Sequence, residues 1–326
     1  MGMNRTSGIH RWAVSAAVFS LIMASTGGVS AEAPAKERDV MKNVGSYLQW
    51  NSPVTVKLDG QELPVKAEME GTKILIPFRA AFEALGAKVT WDGAAGSASA
   101  VMGSGGSAHS VQVRAGEEEA VVDGSSYTYD HEAVNREGSL YVPLRMLTAA
   151  SGTRFEWDLV SRTLLLESAA PTASGFKAGS PAYEAQGDIP ARYAHGASAD
   201  GKDVNPPLQW EGAPQGTKSY AVVMYDLHPI ADNWIHWSVL NLPASAQGIS
   251  EGVTGALPEG AETNAYFGMG PPPHSGDHPY RVVVYALDTE KVELKNAPVF
   301  FEDLEPVLEE HALAKSEWTG YFRGAE

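Results

Sequence analysis

Hydrophobic and polar residues follow a different period in each half of this chain. In "LIPFRAAFEALGAKVTWD" (75–92), Phe78, Ala81, Phe82 and Leu85 recur at i, i+3, i+4 and i+7, the buried stripe of a short helix. Val89 and Trp91 then alternate with polar neighbours, which predicts a half-buried strand. The pattern returns 66 residues later in "YVPLRMLTAASGTRFEWD" (141–158). Pro77 aligns with Pro143, Arg79 with Arg145, Gly86 with Gly152, Trp91 with Trp157 and Asp92 with Asp158. Leu144, Leu147, Thr148 and Ser151 repeat the helical stripe more weakly, and Phe155 with Trp157 repeats the strand. Proline in the first turn and glycine after the last mark where each helix starts and stops. Turn signals "KLDG" and "VVDG" precede the two copies. The first half thus reads as an α+β domain of strand, hairpin, short helix and strand, twice over.

Past the small, polar "AAPTASGFKAGSP" (169–181) the period shortens. "SYAVVMYD" (219–226), "WIHWSVLNLP" (234–243) and "RVVVYALD" (281–288) are strand-like runs rich in Val, Tyr and Trp, separated by long Gly/Pro loops. Strict alternation puts His236 on one face with Trp234 and Ser238, and Ile235, Trp237 and Val239 on the other. Near the end, Leu304, Val307, Leu308, His311 and Ala312 have helical spacing after Asp303, a capping residue, with Pro306 in the first turn. This half predicts a mainly antiparallel β domain with peripheral helices.

The N-terminus has a third pattern. Arg5 and Arg11 precede "WAVSAAVFSLIMA", and a small-x-small site follows at Val29 and Ala31. The apolar run falls short of the ~20 residues that span a bilayer, so it reads as a secretory signal peptide cleaved near Ala31, with no transmembrane anchor afterwards. The layout is signal peptide 1–31, N-terminal linker 32–50, repeat domain 51–168, linker 169–175 and second domain 176–326. Without Arg5 and Arg11, 22 basic residues face 40 acidic ones, a balance of −18 that disfavours a nucleic-acid or anionic-membrane partner. The chain has no cysteine, so disulfides and thiolate metal sites are excluded even in an exported protein.

Candidate chemistry gathers late in the chain. His228, His236, His274 and His278 lie within one stretch of the second domain, all at strand ends or in loops. Asp226 ends a strand, and a direct hairpin brings it near His236. "GMGPPPHSGDHPY" (268–280) adds a stiff Gly/Pro loop leading to His278 and Tyr280. Taken singly, a strand histidine or a strand-end aspartate is usually structural. Together Asp226, His228, His236, Gly268, Gly270, Pro271, His278 and Tyr280 form a candidate ligand-binding set. The Asp/His cluster also suits zinc or acid/base hydrolysis. The sequence, however, contains no HExxH pair, no G-x-S-x-G elbow and no cysteine nucleophile. No cofactor, metal or catalytic residue is assigned.

These residues carry two resemblances. Residues 51–168, with a Val-Pro-x-Arg helix followed by Leu-Gly-x-x-Val-x-Trp, resemble the copper amine oxidase N-terminal-like domain, a stalk module of exported proteins. A copper site does not follow, because the module holds only His109 and His131 and lacks the Asn-Tyr-Asp/Glu tripeptide. Residues 176–326, with "VNPPLQW", "YAVVMYDLHP", "WIHWSVLNLP", "GMGPPPHSGDHPYRVVVYALD" and "HALAKSEWTGYF", resemble the phosphatidylethanolamine-binding protein family in its bacterial Raf kinase inhibitor-like, YbhB/YbcL branch. That resemblance implies a pocket for phosphate or a phosphorylated head group at Asp226, His236, Gly270, His278 and Tyr280.

Two departures from the family pattern stand out. The usual Asp-Pro-Asp-x-Pro is Asp226-Leu227-His228-Pro229 here, and the usual His-Arg-Tyr is His278-Pro279-Tyr280, with Arg281 next in line. The expected function is an exported, non-catalytic binding protein with a small anionic ligand and a cell-wall or extracellular protein partner. An extracellular protease inhibitor and a metal-dependent hydrolase are the alternatives.

Overall fold

The computed structural model describes residues 52–103, 109–158, 161–167, 175–196, 200–253, 256–257 and 261–324. The signal peptide, the 32–50 linker and all of the 169–175 linker except Gly175 lie outside the described residues. The chain divides into two compact units, residues 34–170 with Ser275–Asp277, and the remainder from Pro171 onward.

The first unit contains β1 (Ser52–Leu58), β2 (Gln61–Glu62), β3 (Ala67–Glu70), β4 (Lys73–Pro77), helix α1 (Phe78–Ala84), β5 (Lys88–Asp92) and β6 (Ser97–Met102). It continues through β7 (His109–Arg114), β8 (Glu119–Val122), β9 (Ser125–Thr128), β10 (Val134–Arg136), β11 (Ser139–Pro143), α2 (Leu144–Ser151), β12 (Arg154–Asp158) and β13 (Thr163–Glu167). One sheet runs β10-β11-β4-β3-β1-β13-β12, with β2 paired to β1, and β5 to β9 form a separate five-stranded meander. The segments aligned in the sequence meet as partners. Ile76 pairs with Val142, Leu75 with Pro143 and Pro77 with Tyr141, so each strand hands its chain into a helix beside the other.

Pro77 and Pro143 stand at the N-caps of α1 and α2, and Phe78, Ala81 and Phe82 are the buried face of α1. Gly152 closes α2 in the left-handed region at φ 66°, a conformation glycine adopts without strain. The two matched tryptophans part company. Trp157 lies in the alternately buried strand β12 and is 2% exposed, whereas Trp91 in β5 is 44% exposed and Val89 only half-buried. The half-buried strand expected at 88–92 is therefore an exposed edge of the meander.

The second unit contains β14 (Lys177–Gly179), β15 (Leu208–Glu211), β16 (Ser219–Asp226), β17 (Trp234–Pro243), β18 (Gly248–Ile249), β19 (Glu262–Asn264), β20 (Asp277–Leu287), α3 (Phe301–Glu309) and β21 (Ala312–Arg323). A five-stranded sheet runs β19-β17-β16-β20-β21, and β14-β15-β18 make a second sheet. The inner pairs β16/β17 and β16/β20 are antiparallel. One face of the large sheet carries the core of Tyr220, Val222, Met224, Trp237, Val282 and Val284 with Trp210 from β15. On the other face Phe301 of α3 stacks on Tyr225 at 4.0 Å. With both faces covered, β16 is buried along its whole length, which explains its unbroken apolar run.

Helix α3 differs from the expectation. It begins at Phe301 with Phe300 at the N-cap, Asp303 sits inside the first turn, and His311 and Ala312 fall beyond its end. The anchor is aromatic rather than a carboxylate cap. The Phe301 ring packs on Tyr225 and its N–H donates to the Asn233 carbonyl, which pulls the helix start forward.

Candidate functional site

The strand β16 delivers Asp226 to the end of the sheet, and the hairpin to β17 sets Trp234 directly opposite it. Between the pairs Met224/Trp237 and Tyr225/Ile235 the register slips by one residue, and His236 is the extra one. A bulge puts neighbouring side chains on the same side and bends the strand. Its result here is that His236 meets Tyr280 edge-on at 5.0 Å while Trp237 joins the same core, with Ser238 paired to Val223. The strict alternation read from the sequence fails at that residue. The bulged backbone finds its partner in Phe267, whose N–H donates to His236 O at 2.9 Å. In return His236 Nδ1 donates to Phe267 O at 2.8 Å. Burial pushes the His236 imidazole down to about 4, although Asp226 and the Phe267 carbonyl act in the opposite sense.

The carboxylate of Asp226 is the hub. Its Oδ1 accepts the His228 N–H at 2.8 Å, its Oδ2 accepts from His278 Nδ1 at 2.7 Å, and the Tyr280 hydroxyl donates to it as well. Burial, reinforced by Asp226, holds the Tyr280 hydroxyl well above its ordinary range, so it stays a neutral donor. The His228 ring stacks on His278 with centroids 3.7 Å apart and planes 11° from parallel. Asp226, His228, His236, His278 and Tyr280 thus form one connected, buried cluster. His274, the fourth histidine of that stretch, is exposed in a left-handed turn and takes no part.

The Gly/Pro loop is held by a part of the chain that sequence reasoning did not single out. The Gly268 N–H donates to Asp203 Oδ1 at 3.0 Å, and Asp203 also accepts the Gly196 N–H at 2.8 Å and His195 Nδ1 at 2.9 Å. Burial alone would push the Asp203 carboxyl up, but these hydrogen bonds outweigh it and hold the group below its usual range. His195 stacks on Phe267 at 4.5 Å, and Trp234 meets the same ring edge-on at 5.7 Å. A Cβ on Gly268 would come within 2.4 Å of Ala194 C and His195 N, so this glycine is required by a crossing backbone. At Gly270 the nearest atom would be His195 Cβ at 3.6 Å, an ordinary contact. Gly270 and Pro271 are half-buried. His195, Asp203, Trp234 and Phe267 are thus the neighbours that the sequence left out. His195 and Asp203 lie far up the chain from the histidine-rich stretch, and no local pattern marks them.

Residues 179–323 match the phosphatidylethanolamine-binding protein family model. The UPF0098 protein of Methanothermobacter thermautotrophicus is 34% identical over 149 residues, spanning 44% of this chain and 95% of that protein. This chain belongs to the phosphatidylethanolamine-binding protein family. The UPF0098 protein YbhB of Escherichia coli is 36% identical over 118 residues, 32% of this chain and 74% of YbhB. The crystal structure of E. coli YbcL, described as a new member of the mammalian PEBP family, aligns with 27% identity and a TM-score of 0.41. It covers 45% of this chain and 98% of YbcL. Residues 55–166 match the copper amine oxidase N-terminal domain.

Within the phosphatidylethanolamine-binding protein family, both departures now have positions. His228 fills the place of the second acid as a ring stacked on His278. Arg281 does not restore the displaced arginine. It pairs across the sheet with Tyr225, and its Nε lies 3.8 Å from Glu317 on the α3 side, away from the face that carries Tyr280 and Val282. In the first unit His109 pairs with Asp123 at 2.8 Å and His131 lies 3.6 Å from Glu70. Arg79 pairs with Glu83 on its own helix, and Arg145 lies over the Tyr129 ring. Among the described residues no group of three or more His, Asp or Glu is arranged to hold a metal ion.

Proposed function

We propose that the C-terminal unit is a binding module for a small oxyanion, phosphate or a phosphorylated head group, and that it performs no chemistry on it. The observation that carries this reading is the closed circuit around Asp226. Three donors already satisfy its carboxylate, so its charge is answered inside the protein and does not repel an incoming anion. The stacked His228 and His278 rings and the neutral Tyr280 then provide a polar lining of low net charge in a strongly acidic chain. Family membership supports the same ligand class. Binding is favoured over turnover because the one carboxylate of the cluster is fully engaged and so is not a ready general base.

The leader read from the sequence places this activity outside the cytoplasm, and the N-terminal unit serves it as a stalk or surface-association module with a wall or protein partner. Calorimetric titration of the full chain with phosphate and phosphoethanolamine tests the ligand. Saturable binding is expected, weakened about tenfold or more in His278→Ala and in Asp226→Asn. No binding by the intact chain, or variants that bind as tightly as it does, would reject the reading.

A further inference from the structure

We infer that the ligand brings a proton of its own: the site takes phosphate or a phosphomonoester in its monoprotonated form, the P–OH group donating to His236 Nε2. The inference rests on the oxyanion reading above and narrows it. A carbonyl oxygen only accepts, so the 2.8 Å contact with Phe267 O fixes the hydrogen on His236 Nδ1. A neutral ring so oriented has a bare, accepting Nε2 on its far edge. Among the described residues no side chain or backbone group donates to that nitrogen, and His236 is 5% exposed. Nε2 is not one of the fully enclosed side-chain atoms that lack a partner among the described residues, so an incoming donor can reach it.

The alternative is a second ring proton, which would make Nε2 a donor and the ring a buried cation. Every charged or titratable group around the ring bears on that choice. Asp226 from β16 favours the cation, but its oxygens are shared by His228 N–H, His278 and Tyr280. His278 from β20 opposes it, and His228 is stacked against His278. Tyr280 is a neutral edge contact at 5.0 Å, and Trp234 adds an uncharged edge at 4.4 Å. Behind Phe267, Asp203 and His195 are paired with each other at 2.9 Å. Desolvation prevails and keeps the ring neutral down to about 4.

The chemistry divides anions sharply. A phosphomonoester loses its last proton near a pKa of about 6, so below that it has both a P–OH donor and anionic oxygens. Sulfate and a phosphodiester have no such proton near neutrality and would press a lone pair against a lone pair.

The test is calorimetric titration of the full chain with inorganic phosphate, phosphoethanolamine, sulfate and glycerophosphoethanolamine at about pH 5.5 and about pH 8. At the lower pH the first two are expected to bind about tenfold or more tighter than the last two; at the higher pH phosphoethanolamine, now without a P–OH, loses that preference while inorganic phosphate, which keeps one as the monoprotonated dianion, retains it. Any gain of positive charge in the cluster would favour the dianionic sulfate at least as much as phosphate, so a preference for phosphate isolates the P–OH contact with His236. Ring nitrogen NMR is expected to show His236 as the neutral Nδ1–H tautomer at both values. His236→Gln, which supplies an N–H, is expected to raise sulfate relative to phosphate; if it misfolds, the ligand series on the native chain still decides. Equal binding of sulfate and phosphate at about pH 5.5 would overturn this inference and leave the oxyanion reading standing. Binding of none of the four would overturn both.

Discussion

Burial of a neutral imidazole at position 236 couples folding to pH. Folded, the ring resists protonation down to about 4, whereas an unfolded histidine titrates near ~6.5. Between those values the unfolded chain binds the extra proton, so the contribution is complete above ~6.5 and is lost as pH falls toward 4. The shift corresponds to about 3 kcal/mol for a ring this deeply buried. Denaturant midpoints of the native chain and of His236→Gln, compared at about pH 7 and about pH 4.5, should show the native chain losing about 2–3 kcal/mol more on acidification. Equal losses would mean that the folded ring accepts a second proton. Asp226 differs at the same scale, since its carboxylate accepts from His228 N–H, His278 Nδ1 and the Tyr280 hydroxyl.

Among the elements, the Gly/Pro loop and the bulge in β17 decide the geometry together. The loop rests on the 194–203 segment, where His195 N–H donates to Met269 O at 2.9 Å and Asp203 receives Gly268 N–H. The two glycines of this loop are therefore not equivalent. Gly268→Ala is expected to destabilise the unit by about 1–3 kcal/mol because its Cβ would strike backbone that cannot turn aside. Gly270→Ala should stay within about 0.5 kcal/mol, since its Cβ meets an ordinary contact. Thermal denaturation of the two variants decides it, and similar losses would show that the crossing at Ala194–His195 does not constrain the loop. The matched strands β5 and β12 make a parallel point. The same Trp-Asp signature is exposed in one and buried in the other, because neighbouring elements, not strand propensity, determine whether a tryptophan is covered.

For the whole molecule, the described chain forms two compact units, and we propose that its acidic balance disfavours nucleic-acid and anionic-surface partners. The proposed export adds a direct expectation: intact-mass analysis of the protein recovered outside the cytoplasm should find a chain beginning near Glu32, and recovery of only the uncleaved chain in the cytoplasm would remove the extracellular role. The sequence by itself determined the two α helices after Pro77 and Pro143, the apolar runs of β16, β17 and β20, and the membership of Asp226, His228, His236, His278 and Tyr280 in one stretch. Those features are written in short-range periods and turn signals, where neighbours in sequence are neighbours in space. Only the tertiary structure decided that His236 is a bulged residue beside Trp237, that His228 stacks on His278, and that Asp203 and His195 hold the Gly/Pro loop. It also decided that Trp91 stays exposed where Trp157 is buried. Each of these depends on strand register or on contacts between segments tens of residues apart, and neither leaves a periodic mark on the chain.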